Sequence, residues 1–358
     1  MKRYKIAVSD FHVGPGQLQD NGDVNPLEYF IFDSRFVSFL EHYSTEEYKA
    51  ADVELIINGD FLNTIQVDDP EEKLTRLTEK LSVAKVRRIF AGHPELFDAL
   101  QKFAAVPNHR VAYLVGNHDP HIVFPQVQEA INYRLQTEVF FPGFRYEFDG
   151  IWIEHGHQYQ PANYCDPAHL FSRDEKGDEV LHLPWGSVWI IEYLNEIKKQ
   201  RPYIDRIQPF SRYLLLAFFF DPLFAFGALG RLLAFFFRLR FSHGLWKDPR
   251  EFAETWKMLS DLSIIPPLDR EAQNVLARPE YHTVLFGHNH QAAYRRFGRD
   301  RLYVNTGTWN DIIHLDIQNL GRQRRMTYAF IDYPDHLRPR TKLKIWKGTK
   351  TAEEDVIF

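Results

Sequence analysis

Short apolar runs rich in β-branched residues recur along the chain: Lys5–Val8, Val53–Ile57, Arg110–Val115, Ile151–Glu154 and Thr283–Phe286. Each reads as a buried strand, and each gives way at its carboxyl end to small or polar residues. Helical periodicity fills the first gaps, over Ser34–Tyr48 and over Glu71–Phe103, the latter broken near Gly92-His93-Pro94. Strands alternating with helices predict an α/β architecture. After Tyr303 the pattern becomes one of apolar and polar alternation, in Leu302–Val304, Ile312–Ile317, Arg325–Ile331 and Lys342–Trp346, which predicts further sheet. Between Gln160 and Pro279 the texture is different: helix-like, aromatic and Pro-rich. The organisation expected is a core of 1–160 and 280–349, an inserted helical cap at 161–279, and a loosely held tail at 350–358.

Composition narrows this picture. With 44% hydrophobic and 25% charged residues over 358 positions, the chain is an ordinary globular sequence, one elaborated domain or two. Cys165 is the single cysteine, which excludes an internal disulfide and suits a reducing, cytoplasmic setting. The basic start Met1–Lys5 is followed by only Ile6-Ala7-Val8 before Ser9-Asp10, too short a run for a signal-peptide core. A formal charge of −5 argues against general nucleic-acid binding, so no stable nucleic-acid complex is expected. The excess is in phenylalanine: ten of 30 lie between Phe210 and Phe241.

The chemistry gathers at the strand ends. Five of them carry Asp10-x-His12, Gly59-Asp60, Gly116-Asn117-His118-Asp119, His155-Gly156-His157 and Gly287-His288-Asn289-His290. Taken singly, each is ordinary: a cap aspartate, a turn, a loop histidine, a strand pair. Five such groups in order, all beyond carboxyl ends where α/β sheets bind ligands, make coincidence a poor account. Imidazole, carboxylate and one amide oxygen suit Mn, Fe or Zn, and the near-absence of Cys excludes a thiolate site.

These blocks resemble the ordered D-x-H, G-D, G-N-H-D/E, lone His before Gly, and G-H-x-H pattern of the calcineurin-like metallophosphoesterases, and Asn305-Thr306-Gly307-Thr308 is similar to the turn that follows it there. The resemblance implies a β-sandwich flanked by helices with two divalent metal ions at its edge, manganese first, with iron or zinc as alternatives. One metal would take Asp10, His12, Asp60 and His290; the other would take Asp60, Asn117, His155 and His288. Asp60 then bridges ions roughly 3.5–4 Å apart, and a bridging hydroxide attacks phosphorus in line. His118 would protonate the leaving oxygen or steady the transition state, with Asp119 orienting it. His157 is left between substrate contact and support of a ligand. Cys165 reads as a packed thiol. No P-loop, nucleophile elbow or dinucleotide fingerprint is present.

Substrate clues lie in the insertion. Lys198–Lys247 holds nine Lys/Arg against Asp205 and Asp221, a local +7 that leaves −12 elsewhere. Tyr213–Phe237 is long enough to span a bilayer, but Asp221 and Arg231 each cost about 2.5–3.5 kcal/mol near a membrane centre and Pro222 kinks the run. Two helices divided at Asp221-Pro222 are the better reading. Arg231 and Arg238 share one face of the second, with Phe226, Leu233 and Phe237 on another. Such a pair suits anionic lipid, so peripheral membrane contact through 198–247 and a lipid-linked phosphoester or pyrophosphate are expected, against a cap that packs internally or on a second copy. There is distant similarity to the UDP-2,3-diacylglucosamine pyrophosphatase branch. This chain departs from it in having His118 where that branch often has Arg, and in the 133 positions from His155 to His288. A nuclease or nucleotide phosphodiesterase, and a catalytically silent binding scaffold, are the competing readings. Oligomeric state is left open.

Overall fold

A computed structural model of the chain describes all residues except 20, 68–76, 175, 209, 243–266, 316–319, 335–337, 349–353 and 356–358. The expected core strands form, and they divide between two sheets. A seven-stranded sheet has the spatial order Glu354–Asp355, Arg340–Ile345, Thr327–Asp332, Arg3–Val8, Asp52–Asn58, His109–Leu114, Phe140–Gly143. A five-stranded sheet has the order Ala293–Phe297, Arg301–Asn305, Thr283–Phe286, Ile151–Glu154, Arg145–Phe148. Arg3–Val8, Asp52–Asn58 and His109–Leu114 are mutually parallel, as are Ile151–Glu154, Thr283–Phe286 and Arg301–Asn305. Parallel strands need crossovers; helices supply those among Arg3–Val8, Asp52–Asn58 and His109–Leu114, whereas the strand Ala293–Phe297 lies between Thr283–Phe286 and Arg301–Asn305.

Period-two alternation explains why the runs are apolar throughout. Ala7, Ile56, Ala112 and Leu114 face Ile151, Ile153, Leu285 and Val304 across the space between the sheets. Their neighbours Ile6, Val8, Leu55, Ile57 and Val111 pack the other way, within the cluster that includes Phe36, Leu100 and Ile131 of the helices Asp33–His42, Pro94–Ala104 and Pro125–Leu135. On the far side of the second sheet, Trp152, Val284 and Phe286 pack with Ala272, Val275 and Leu276 of the helix Asp269–Leu276. Both faces of each sheet are thus covered. The result is a four-layer α/β/β/α sandwich, the architecture the motifs implied.

Helix boundaries follow local chemistry. Glu79–Gly92 begins after Thr78, whose hydroxyl accepts from the Leu81 amide, and it stops where Pro94 opens the next helix, Pro94–Ala104. The six positions 71–76 of the expected Glu71–Phe103 stretch lie outside the described residues.

The insertion contains a hairpin (Phe171–Arg173 with Glu179–Leu181) and a helical stretch from Trp185 to Gln200 with one wider turn at Ile190–Leu194. It also holds two helices, Phe210–Phe220 and Pro222–Ser242, that part at Asp221. Ile207–Gln208 pairs with Asp311–His314, which ties the cap to the core. Asp269–Leu276 falls inside 161–279 yet packs as part of the core layer. No helix among the described residues is long and apolar enough to cross a membrane. Lys247 and most of the tail lie outside the described residues; Glu354–Asp355 pairs with Lys344 and Ile345 at the sheet edge.

Candidate metal centre

All five polar groups emerge at the carboxyl ends of parallel strands, on one edge of the sandwich. The chain turns sharply there. Asp10, His12, Asp60, His288 and His290 all have positive φ, between 51° and 69°. Non-glycine residues rarely adopt this conformation, and it persists only where surrounding contacts hold it. Those contacts are present. The His118 amide donates to Asp60 Oδ1 at 2.8 Å, and the His288 amide donates to both Asp10 oxygens at 3.1 Å. Thr308 Oγ1 and Asn310 Nδ2 hold the carbonyls of Asp10 and Phe11, at 2.6 Å in each case. A Cβ on Gly116 would collide with the Asp60 carboxylate, so that loop can pass only as glycine.

The side chains converge. Asp10, His12 and His290 offer ligand atoms within 4.8 Å of one another, as do Asp60, His155 and His288, and His12, Asp60 and His118. His12 Nε2 is 3.0 Å from His290 Nε2, which is 3.4 Å from Asp10 Oδ1. His155 Nε2 lies 3.1 Å from Asp60 Oδ2 and 3.9 Å from Asp10 Oδ1. Asn117 Oδ1 and His288 Nδ1 are buried without a hydrogen-bond partner. Buried lone pairs without partners are costly, and these belong to ligand-type atoms in an all-nitrogen-and-oxygen set. The residues therefore fit hard or borderline divalent cations.

Hydrogen bonds behind the cluster fix which nitrogen faces inward. The Asn58 carbonyl takes the Nδ1–H of His155 at 2.8 Å, which turns Nε2 toward Asp60. Gln160 Oε1 accepts from Asn163 Nδ2 at 2.7 Å and stands 2.6 Å from His288 Nε2, so that nitrogen donates and Nδ1 is left bare. Partners of this kind set the tautomer of a metal-binding imidazole. Burial and the neighbouring imidazoles push His12 well below its usual range; burial and His155 do the same to His288, and burial lowers His118 to about 4. Against its burial, Asp60 and Asp10 raise His155 to about 10, and His155, His118 and His12 hold Asp60 well below the carboxylate range.

The expected role of Asp119 looks different in three dimensions. Asp119 does not reach the His118 ring among the described contacts. Its carboxylate accepts from the amides of Gly116 (2.7 Å) and Phe61 (2.9 Å) and from the Tyr113 hydroxyl (2.6 Å), so it clasps the loops. His118 Nδ1 is instead 2.9 Å from Asn63 Oδ1. His157 is buried behind His155 and His288, against Phe144, with neither nitrogen bonded, and burial lowers it to about 3. It is absent from the chamber wall described next. Cys165 is a buried free thiol pushed up to about 12 by burial, a packed group as expected.

The cluster opens into a chamber. Its floor is His12, Asp60, Asn117, His118, His288 and His290, and its walls come from the cap: Trp185, Trp189, Ile190, Leu214, Phe218, Phe224, Leu232 and Phe236. Tyr29, missed in the sequence, lines it and lays its ring 5.2 Å from that of His12. Gln160 and Asn63 were missed as well. Asn63 follows Gly59-Asp60 by three positions, the one signal that pointed to it.

No protein-family model and no curated protein matches the chain. Solved structures similar to it include a dimetal phosphatase from Danio rerio, with 9% identity over 99% of this chain and 98% of that one and a TM-score of 0.37. Vacuolar protein sorting 29 from Cryptosporidium parvum shows 10% identity over 99% and 96%, at a TM-score of 0.33. The calcineurin-like phosphoesterase YfkN from Bacillus subtilis shows 11% identity over 96% and 90%, at 0.31. Likenesses at these scores carry no argument about chemistry, which rests on the residues above.

Proposed function

We propose that the chain is a metal-dependent hydrolase of a phosphoester or pyrophosphate whose substrate carries a long apolar substituent. The observation behind this reading is the continuity of one cavity, from the histidine–aspartate cluster into an aromatic and aliphatic chamber under the cap. Two divalent cations held by Asp10, His12, Asp60 and His290, and by Asp60, Asn117, His155 and His288, would supply charge neutralisation at the phosphoryl oxygens and activation of water. Manganese is the metal we propose for them. The chain's own residues do the rest. The backbone amides on Asp10 and Asp60 hold the carboxylates rigid. His118, at the chamber floor, takes up a proton at its Nε2 lone pair from solvent and passes it to the leaving oxygen. The cap walls exclude water and grip the apolar tail.

The cap's outer surface supports a further part of the same reading, a seat on anionic lipid. Leu223 and Phe220 are 88% and 83% exposed, and Phe219, Phe226, Leu233 and Phe237 are exposed as well, with exposed Arg231 and Arg240 on the same helix as Phe226. Apolar side chains for the acyl boundary and arginines for the headgroups suit such a surface.

The experiment is a hydrolysis series in Mn²⁺ with aryl phosphodiesters of increasing alkyl length, beside single-stranded DNA and a cyclic nucleotide. A buried methylene contributes about 0.8 kcal/mol, so kcat/KM should rise up to about fourfold per carbon until the chamber is full. A flat response, or preference for DNA, would sink the lipid-like substrate and favour the nuclease alternative.

A further inference from the structure

Three buried amides run in series from His118 to the cap. Asn63 Oδ1 lies 2.9 Å from His118 Nδ1; Asn63 Nδ2 donates to Gln66 Oε1 at 2.5 Å; Gln66 Nε2 donates to Asn195 Oδ1 at 2.8 Å; and Asn195 Nδ2 reaches the Ile65 carbonyl at 3.5 Å. Asn63, Gln66 and Asn195 are 0%, 2% and 1% exposed. Water is therefore a poor substitute for any rung.

The direction of this ladder follows from the group at its far end. A backbone carbonyl only accepts, so at the Ile65 end Asn195 must present its NH₂ and turn its oxygen to Gln66. Gln66 must then give its NH₂ to Asn195 and its oxygen to Asn63. Asn63 in turn spends its NH₂ on Gln66 and has only an oxygen for His118. An imidazole nitrogen facing that oxygen has to carry the hydrogen. His118 is thereby held as the Nδ1–H tautomer, with a bare Nε2 lone pair toward the chamber floor, and the constraint originates on the helix Asn195–Gln200 of the cap. The wider turn Ile190–Leu194 immediately precedes Asn195, an irregularity that often marks functional positions in helices.

We propose that Asn195 is a positioning residue for His118: through Gln66 and Asn63, the seated cap selects the tautomer of the histidine at the phosphoryl site. The tautomer stands on geometry alone, whereas its effect on turnover rests on the hydrolase reading above.

The test is the long-range ¹H–¹⁵N spectrum of the histidine rings in full-length protein loaded with Zn²⁺, with His118 assigned from its absence in His118→Gln. Wild type should show Nδ1 protonated and Nε2 bare. In Asn195→Leu and, independently, Gln66→Leu, the Asn63 amide is free to turn over, and the Nε2–H form should appear. Asn195→Asp, which still accepts from Gln66, should keep the wild-type pattern. In Mn²⁺ the two leucine variants should lose about tenfold in kcat with KM within about twofold. An Nε2–H signal in wild type overturns the proposal, even if neither variant folds. So does a wild-type spectrum with unchanged kcat in both leucine variants. The predicted tautomers in protein that hydrolyses no phosphoester would leave the ladder standing and tell against the proposed function.

Discussion

The edge of the sandwich and the cap solve opposite problems. At the edge, polar groups are buried almost completely: Asp10, Asp60, His12 and His155 expose 2% or less, and the loops carrying them sit in left-handed conformations. In the cap, large apolar groups are exposed while small or selected ones are buried: Ala225, Phe235 and Phe236 pack inward, and Phe219, Phe220, Leu223 and Phe226 face out. Each region inverts the usual inside–outside rule, and informative surfaces are those that do. A buried polar cluster this dense exists for something that binds it. The exposed apolar helices Phe210–Phe220 and Pro222–Ser242 carry the face proposed above to meet anionic lipid. The chamber joins the two, so in the proposed function chemistry and substrate recognition are separate devices on one path.

That separation can be broken at several points. The largest effect is expected at the edge: Asp60→Ala removes the carboxylate shared by both proposed ligand sets, and hydrolysis in Mn²⁺ should fall by more than about 10³-fold, with metal uptake reduced in calorimetry. Retained activity would end the dinuclear account. Within the chamber, Ala228→Trp places bulk on the cap wall. It should raise KM for long-tailed substrates about 10- to 100-fold and for short aryl esters far less. Equal effects on both would deny the chamber its selectivity. On the outer surface, Phe220→Glu with Leu223→Glu should weaken sedimentation with anionic vesicles about tenfold or more, and neutral vesicles should bind poorly from the start.

A pH-dependent effect away from the site sharpens the contrast from the stability side. His93 is buried between Asp33 Oδ1 (2.6 Å) and Glu28 Oε2 (3.3 Å), and Glu28 also accepts from the Gly14, Gly16, Tyr29 and Phe30 amides. Burial alone would lower this histidine, but the two carboxylates raise it to about 9. Its folded-state value thus lies above the unfolded one of about 6.5. The stabilisation is full below about pH 6.5 and is lost as pH rises through 9, on the order of 3 kcal/mol in all. His93→Gln should lower Tm most at pH 6 and least above pH 9, a convergence that thermal scans across that window would detect.

The five motif blocks could be located without coordinates because each follows a strand and comes with a fixed neighbour. Asp119 shows the limit of that logic. It adjoins His118 in sequence, which suggested contact, but the turn sends its carboxylate to Gly116, Phe61 and Tyr113. The group that does meet the ring is Asn63, 55 positions earlier. Gln160 and Asn195 were invisible for the same reason: a hydrogen-bond partner from another loop or helix leaves no periodic trace, and neither does a ring packed across the site, as that of Tyr29 is against His12. In the cap, the sequence marked two helices and their break at Asp221-Pro222, but not which faces are covered, since every side of Pro222–Ser242 carries Phe or Leu.

What the sequence determined alone is what local physics dictates: strands from β-branched runs, helix breaks from Pro and Gly, and ligand-type residues at strand ends. The tertiary structure decided the rest. It brought five strand ends to one edge, chose the nitrogen each imidazole turns inward, opened an apolar chamber beside them, and linked the cap to His118. These depend on which distant groups approach within about 3 Å, and hydrogen bonds at that range are decided by packing, not by spacing along the chain.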